Sequence, residues 1–137
     1  MDIFRANPAN FEALSELAHA LRWGRHLAFI EKALRDREVL VASADNRVAG
    51  MLIWDRSFFS RAFIWLLGVA PGAQHRGIAS ALIREVERTC TGEPLFISTN
   101  KSNAPMRALC EKLGFVESGY LEHIDEGDPE IFYFKRL

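Results

Sequence analysis

The feature that most constrains this chain is an apolar segment, residues 63–69, that leads through a Pro-Gly pair into an amphipathic segment over residues 77–90. The apolar segment is rich in aromatic and β-branched residues and is mostly apolar on both faces, which predicts a central strand of a sheet. The amphipathic segment places apolar residues such as Ile78, Leu82 and Val86 on one side and charged residues on the other, which predicts a helix. A buried strand that continues into a helix favours an α/β fold.

The remaining segments extend this pattern along the chain. Apolar residues at helical spacing, such as Leu14, Leu17 and Leu21, predict helices, and short alternating or apolar runs predict strands. The resulting order is β-α-α-β-β-β-α-β-α-β-β, an α/β (α+β) arrangement around a mixed sheet. A length of 137 residues suits one domain, so we expect a single domain over residues 1–137. The predicted strands are residues 1–6, 39–42, 48–54, 63–69, 94–98, a strand that opens at 115, and 130–137, and the predicted helices are residues 9–21, 25–37, 77–90 and 103–112.

The composition excludes several functional classes. With 49% hydrophobic residues, 26% charged residues and a net charge of -1, the chain is typical of a globular protein and lacks the basic footprint of a nucleic-acid binder. The first residues lack the order of a signal peptide, and the longest apolar run, residues 62–70, is too short to span a bilayer, so we expect a cytoplasmic protein with no membrane partner. Cys90 and Cys110 have no CxxC spacing or nearby histidine pairs, so we expect no metal site and two reduced thiols.

Directly after the apolar strand, a Q-x-x-G-x-A pattern opens the amphipathic helix. The unpaired backbone N–H groups at a helix start and the helix dipole favour an anion, and small residues at 77 and 79 would let a pyrophosphate approach the main chain. The pattern alone is weak, because a turn glycine that simply starts a surface helix also explains it. It differs from a P-loop, which needs Gly-Lys-Ser/Thr, and from a Rossmann motif, whose second glycine and acidic ribose partner are missing. The candidate phosphate-binding residues are Gln74, His75, Arg76, Gly77, Ile78, Ala79 and Ser80.

The order of several motifs is more specific than any one of them. The central strand, the Q-x-x-G-x-A pattern, a helix and a short strand are followed by a run from Asn103 that ends in Glu-Lys-Leu-Gly-Phe at residues 111–115. This order resembles the GNAT superfamily of acyl-CoA-dependent N-acyltransferases. The resemblance is strongest over residues 61–116 and only topological in the first 60 residues.

The resemblance implies a GNAT-like fold in which the central strands splay around an acyl-CoA, with acetyl-CoA as the expected co-substrate. It implies that Gln74, Gly77 and Ala79 belong to the loop whose main-chain amides bind the CoA pyrophosphate. It places Asn103 at the cofactor arm. It also implies a bulge, formed by Leu67, Gly68 and Val69, whose N–H groups bond the pantetheine and polarise the thioester.

The implied reaction is N-acetylation by direct attack of a neutral amine on the thioester, without a metal, and the N–H of Val69 would hold the oxyanion. The acceptor is a small-molecule amine or a protein amine, and the sequence does not choose between them. A homodimer is one open assembly state. Residues that could line the acceptor site are His19, Trp23, His26, Trp54, Asp55, Phe58, Phe59, Tyr120 and Asp125.

Two positions depart from the family's pattern. Many members carry a Tyr that protonates the departing thiolate, and Cys110 stands at that position. Cys110 is then a proton donor, a small buried helix residue, or a site of covalent acylation. On the central strand, Phe63 replaces a Glu that serves some members as general base. The replacement base is an ordered water chain or one of Asp55, Glu122, His123 and Asp125, of which His123 has the most suitable reference pKa.

Two other functions are compatible with the sequence. One is an acyl-CoA-binding or sensing module of the same fold that has lost its acid and base. The other is an unrelated α/β protein that binds a phosphate-bearing ligand. Release of CoA thiol with a panel of amines separates catalysis from binding, and protection by CoA against thermal unfolding separates both from the third possibility.

Overall fold

The computed structural model describes residues 1–137 and has the predicted order of elements. Three short 3-10 helices, at Pro8–Asn10, Gly24–His26 and Pro71–Ala73, lie in the connections. The predicted α/β class with a mixed sheet is confirmed. The strands are β1 Asp2–Arg5, β2 Glu38–Ala44, β3 Arg47–Phe58, β4 Arg61–Val69, β5 Pro94–Asn100, β6 Val116–Leu121 and β7 Glu130–Arg136, and the helices are α1 Phe11–Ala20, α2 Leu27–Asp36, α3 Ile78–Thr89 and α4 Ala104–Lys112.

The seven strands form one sheet in the order β1-β2-β3-β4-β5-β7-β6. β1 pairs with β2, β2 with β3, β5 with β7, and β6 with β7 in antiparallel fashion. β4 and β5 pair in parallel through residues 62–64 and 95–97. This parallel pair is what makes the sheet mixed, and α3 supplies the crossover that a parallel connection needs.

The chain divides into two compact units. The first unit contains residues 1–55 and 65–86, and the second contains residues 56–64 and 87–137. No helix in either unit is long and apolar enough to cross a membrane.

The core of the first unit forms where α1 and α2 cover the strands beside them. Both helices bury residues at i, i+3 and i+4 spacing, which is the stripe that a helix presents to a sheet. Their partners are alternate residues of β2 and β3, because side chains of a strand point to opposite faces in turn. The buried residues of this core are Ala6, Leu14, Leu17, Ala18, Ile30, Ala33, Leu34, Val39, Val41, Met51 and Ile53.

Two helices end in the same hydrogen-bonded motif. The N–H groups of Gly114 and Phe115 donate to the carbonyls of Glu111 and Cys110, and the φ of Gly114 is +92°. This is a Schellman cap, so the predicted closure of α4 by Leu-Gly is confirmed. At the end of α1, the same bonds run from Arg22 and Trp23, with Arg22 in the left-handed region at a φ of +61°.

The two hairpins differ in how well their turn residues suit them. Asp45 and Asn46 have φ values of +54° and +59° in the β2–β3 turn, as a primed two-residue turn requires, and both residue types tolerate them. Phe59 and Ser60 have φ values of +51° and +60° in the β3–β4 turn, where neither residue type is favoured. This hairpin was not predicted, because nothing in Phe-Ser signals a turn. β3 therefore extends to Phe58 rather than to residue 54.

Gly50 and Gly68 allow helices and loops to approach the sheet closely. A Cβ added at Gly50 would lie 2.9 Å from Ile78 Cγ2 of α3 and 3.1 Å from the carbonyl oxygen of Gly68. A Cβ added at Gly68 would lie 2.7 Å from Leu21 Cδ1 and would overlap the ring of Trp23. The backbone of β3 and β4 is thus contacted directly at these two positions, where any side chain would hold the neighbouring groups away.

In the second unit, α4 packs on one face of the strands. The guanidinium of Arg107 donates to the hydroxyl of Tyr133 at 3.0 Å and to Glu117 Oε1 at 3.1 Å, and the Tyr133 side chain is fully buried. Lys135 Nζ donates to the Leu113 carbonyl at 2.7 Å, which ties β7 to the end of α4.

We expect Gly68→Ala to destabilise the protein by about 3 kcal/mol, because the new methyl group must displace Trp23 or distort β4. Gly72→Ala is the matched control, since its Cβ would meet nothing within 4 Å and its φ is not positive. The free energy of unfolding from urea titration measures both. Equal effects of the two variants would contradict the proposed close approach.

Candidate functional site

The turn before α3 is exposed, whereas the first residue of the helix is anchored. Gln74, His75, Arg76 and Gly77 are exposed, and Ile78 is buried against the sheet beside Gly50. The start of α3 is therefore fixed by apolar packing, and the segment in front of it faces solvent.

The backbone of this turn alternates in handedness. His75 and Gly77 have φ values of +65° and +76°, and Arg76 between them has no positive φ. Alternation of this kind is typical of backbone nests, in which successive N–H groups point toward one concavity that binds anions. Glycine is the residue that adopts such a φ without strain, which explains Gly77.

The first hydrogen bond within α3 runs from the N–H of Ala81 to the carbonyl of Gly77 at 3.0 Å. The N–H groups of Ile78, Ala79 and Ser80 precede that bond, so helix geometry leaves them without partners inside the helix. Ala79 and Ser80 are half-buried. Together with the helix dipole, these groups make the start of α3 suited to a phosphate or pyrophosphate.

Arg76 adds a positive charge at this turn. Its Nη1 lies 3.6 Å from Asp45 Oδ2, and both side chains are more than half exposed. An exposed ion pair at this distance contributes little, so Asp45 does not fix the guanidinium in place.

At the end of β4, Gly68 is buried, and Leu67 and Val69 are half-buried. Gly68 lies in the segment where the resemblance implies a bulge, and its φ is not positive. The structure gives another reason for this glycine, because Trp23 lies where a side chain would be. The following residue, Ala70, donates its N–H to the Ala49 carbonyl at 2.8 Å, which holds the end of β4 on β3.

Trp23 also contacts His26. The two rings meet edge to face with centroids 5.8 Å apart, and the N–H of His26 donates to the Trp23 carbonyl at 2.8 Å. Partial burial lowers the pKa of His26, and the neighbouring charge of Arg25 lowers it further. This lowering favours the neutral imidazole, which is the form that accepts a proton.

Asp55 is held by two donors. Arg37 Nη1 donates to its Oδ2 at 2.5 Å, and the indole N–H of Trp65 donates to its Oδ1 at 2.7 Å. The Arg37 guanidinium also lies 5.0 Å from the Trp65 ring and 5.3 Å from the Phe29 ring. These contacts make Asp55 part of a structural cluster, although the sequence named it as a candidate general base.

Asn103 caps α4. Its side-chain oxygen accepts the N–H of Met106 at 3.2 Å, and the residue is exposed. The cap is the ordinary structural role of an asparagine at this position, and it leaves the amide nitrogen as the group that would reach a ligand.

Cys110 lies two turns further along α4 and is fully buried. Burial, and to a smaller degree the nearby charge of Glu111, raise its pKa to about 12. Its spacing from Asn103 places both residues on the same side of the helix, but Asn103 is exposed whereas Cys110 is buried. Cys90 is also buried, burial likewise raises its pKa, and neither cysteine is in a disulfide.

The candidate residues of the β6–β7 connection are more exposed to solvent than Cys110. The His123 side chain is 79% exposed, and its Nδ1 lies 3.1 Å from Glu126 Oε1. Glu122 is exposed as well, whereas Asp125 is half-buried and accepts the Asn100 amide at 3.0 Å. No group of three or more His, Cys, Asp or Glu residues is arranged to hold a metal ion.

The sequence did not reveal the contact between Trp23 and Gly68, nor the hydrogen bond from the Ser98 hydroxyl to Glu130 Oε2 at 2.8 Å. A glycine inside a strand is a general signal of close approach, so Gly68 could have been assigned that role in advance. Nothing in the sequence identifies Trp23 as the group that approaches it.

Comparison with known proteins identifies the fold and the family. A family model described as the acetyltransferase (GNAT) family matches residues 7–115. An acetyltransferase of that family from Bacillus cereus is 27% identical, with a TM-score of 0.86 over 98% of this chain and 96% of that chain. A ribosomal-protein-alanine N-acetyltransferase from Brucella melitensis is 24% identical, with a TM-score of 0.77 over 100% of both chains.

An aminoglycoside 6′-N-acetyltransferase in complex with coenzyme A is 16% identical, with a TM-score of 0.82 over 99% of this chain and 97% of that chain. No curated protein sequence matches significantly. The family model covers most of the chain, and the structural likeness extends over nearly all of it. The chain therefore belongs to the GNAT acetyltransferase family.

Proposed function

We propose that residues 1–137 act as one N-acetyltransferase domain, which moves the acetyl group of acetyl-CoA to a primary amine by direct attack. The observation that carries the proposal is the start of α3, where N–H groups without helical partners follow the positive φ of Gly77. Membership of the GNAT family supports it, and a similar fold binds coenzyme A in the aminoglycoside acetyltransferase.

The residues of the turn fit the pyrophosphate of CoA. The N–H groups of Ile78, Ala79 and Ser80 would bond its oxygens, and Arg76 would add a charge-assisted bond. Gln74 and His75 shape the turn that precedes them. We propose that the main chain of Leu67, Gly68 and Val69 binds the pantetheine and that Asn103 contacts the same arm, as the family resemblance implies.

Acetyl-CoA supplies an activated acyl group as a thioester. The contribution of the chain is to orient the amine and to place the Val69 N–H where negative charge develops on the carbonyl oxygen, which is the larger part of catalysis in sites of this kind. The amine must be neutral to attack, so a base has to take its proton. We propose His123 for this role, and His26 joins it as a candidate because partial burial and the charge of Arg25 lower its pKa, which favours the neutral imidazole.

The properties of Cys110 favour packing over proton donation. A thiol with a pKa of about 12 is a weaker acid than the thiol of CoA, so Cys110 is poorly suited to protonate the departing CoA thiolate. Its side chain is also fully buried and shielded from water. These properties also favour the second candidate function, an acyl-CoA-binding module without efficient turnover. Thiol release from acetyl-CoA with a panel of small amines, peptides and lysine-containing proteins distinguishes the two functions.

We expect acetyl-CoA at a hundred times its dissociation constant to stabilise the protein by about 2.7 kcal/mol, with a much smaller effect of NAD. Gly77→Glu should abolish this protection, because it adds bulk and negative charge in front of the α3 amides. Gly92→Glu is the matched control, since Gly92 also has a positive φ, +87°, and open space around it. Thermal unfolding with and without ligand measures the effect. If Gly77→Glu is protected like the control, the phosphate site lies elsewhere.

We expect the thiols to be unreactive in the folded protein. With a pKa of about 12, roughly one Cys110 thiol in ten thousand is ionised at pH 8, against about a quarter for an ordinary cysteine. Its thiolate fraction rises about tenfold with each pH unit but reaches only about one in a hundred at pH 10, so modification by an aromatic disulfide should stay slow across pH 7–10 and become fast on unfolding.

The same packing role predicts that Cys110→Ala destabilises the fold by about 1 kcal/mol and leaves turnover of an accepted amine within a few-fold. A loss of about a hundredfold in turnover with unchanged acetyl-CoA binding would instead identify Cys110 as the general acid.

A further inference from the structure

One face of β7 carries a symmetrical pattern of charge and aromatic rings. Glu130, Phe132, Phe134 and Arg136 share this face, because residues of a strand alternate and the intervening Ile131 and Tyr133 are buried on the other. An acidic residue therefore begins the stripe, two aromatic residues fill it, and a basic residue ends it.

The neighbouring strands of the second unit extend the stripe into a surface, which we call the aromatic face. Phe96 of β5 and Val116 of β6 both pair with Phe134 and so lie on the same side. Phe58 stacks on Phe63 with ring centroids 4.5 Å apart and on Phe132 at 5.9 Å. The residues of the aromatic face are Phe58, Phe63, Phe96, Phe132, Phe134 and Val116.

This face is open to solvent at its margins. Phe132 and Phe134 are half-buried, and Val116 is 59% exposed. At the tip of the adjoining hairpin, Phe59 contacts Phe58 at 5.0 Å and is 85% exposed, with a positive φ that costs a bulky residue free energy. Phe63 at the centre of the face is buried, so solvent reaches the half-buried rings around it and the exposed side chains at the margins. Apolar surface of this kind favours an interaction surface.

The two ends of the stripe are fixed in place. Glu130 accepts the Ser98 hydroxyl at 2.8 Å, and the Arg136 guanidinium lies 5.5 Å from the centre of the Phe134 ring. They lie six positions apart along the strand, about 20 Å, so they do not pair with each other.

We propose that the aromatic face binds the same face of a second copy of this chain, with the two β7 strands antiparallel. A twofold axis perpendicular to β7 sets Glu130 of each copy opposite Arg136 of the other, and Phe132 opposite Phe134. Parallel strands would instead set like charges together, which costs free energy at both ends. Charge complementarity thus selects the second copy as the occupant and sets its orientation. This inference does not depend on acetyl transfer.

Sedimentation equilibrium of the full chain at several micromolar concentrations tests it with a charge swap. The wild type should dimerise. Arg136→Glu, an exposed site at a strand end, should weaken the dimer by about a hundredfold or more because Glu130 then faces a carboxylate at both ends of the interface. Glu130→Arg should do the same, and the double variant Glu130→Arg/Arg136→Glu should restore the dimer to within about tenfold of the wild type.

Glu111→Arg, an exposed change on α4 over the other face of the strands, is the matched control and should have no effect. Circular dichroism confirms that each variant is folded. The proposal is overturned by a wild type that stays monomeric, by a dimer insensitive to the single swaps, as an interface at the β6 edge would give, or by a double variant that does not recover.

Discussion

The structure depends on the close approach of neighbouring side chains to the backbone at Gly50 and Gly68, where no Cβ is present. These residues are neighbours across β3 and β4, since a Cβ on the first would lie 3.1 Å from the carbonyl of the second. At Gly50 the sheet contacts Ile78, the first residue of α3, and at Gly68 it contacts Trp23 of the connection before α2. Packing of Ile78 against Gly50 fixes where α3 begins, and the unpaired N–H groups of the helix follow from that position.

The geometry of the proposed anion site is thus a consequence of apolar packing rather than of charge. The turn before α3 contributes one arginine, which is only weakly paired with Asp45. The proposed site combines helix amides, the positive φ of Gly77 and a buried Ile78 within residues 77–80. Such a site binds through a preformed main chain, which has little conformational entropy left to lose.

The order of elements, the turn before α3 and the cap of α4 could be predicted because each depends on local periodicity or on residues close in sequence. The β3–β4 hairpin could not, because Phe59 and Ser60 carry no turn signal. The hydrogen bonds of Asp55 could not be predicted either, since its partners Arg37 and Trp65 contact it only in the folded protein. The burial of Cys110, which decides its chemistry, depends on how α4 packs and not on the motif around it.

We propose that the main-chain amides at the start of α3 bind the pyrophosphate of CoA. Backbone amide chemical shifts of ¹⁵N-labelled protein, recorded during titration with CoA and separately with pantetheine, test this binding most directly. If the amides hold the pyrophosphate, CoA shifts the amides of Gly77, Ile78, Ala79 and Ser80 strongly, whereas pantetheine, which lacks the pyrophosphate, leaves them in place. CoA binding that moves none of these four amides, or pantetheine that moves them equally, would contradict the proposed site.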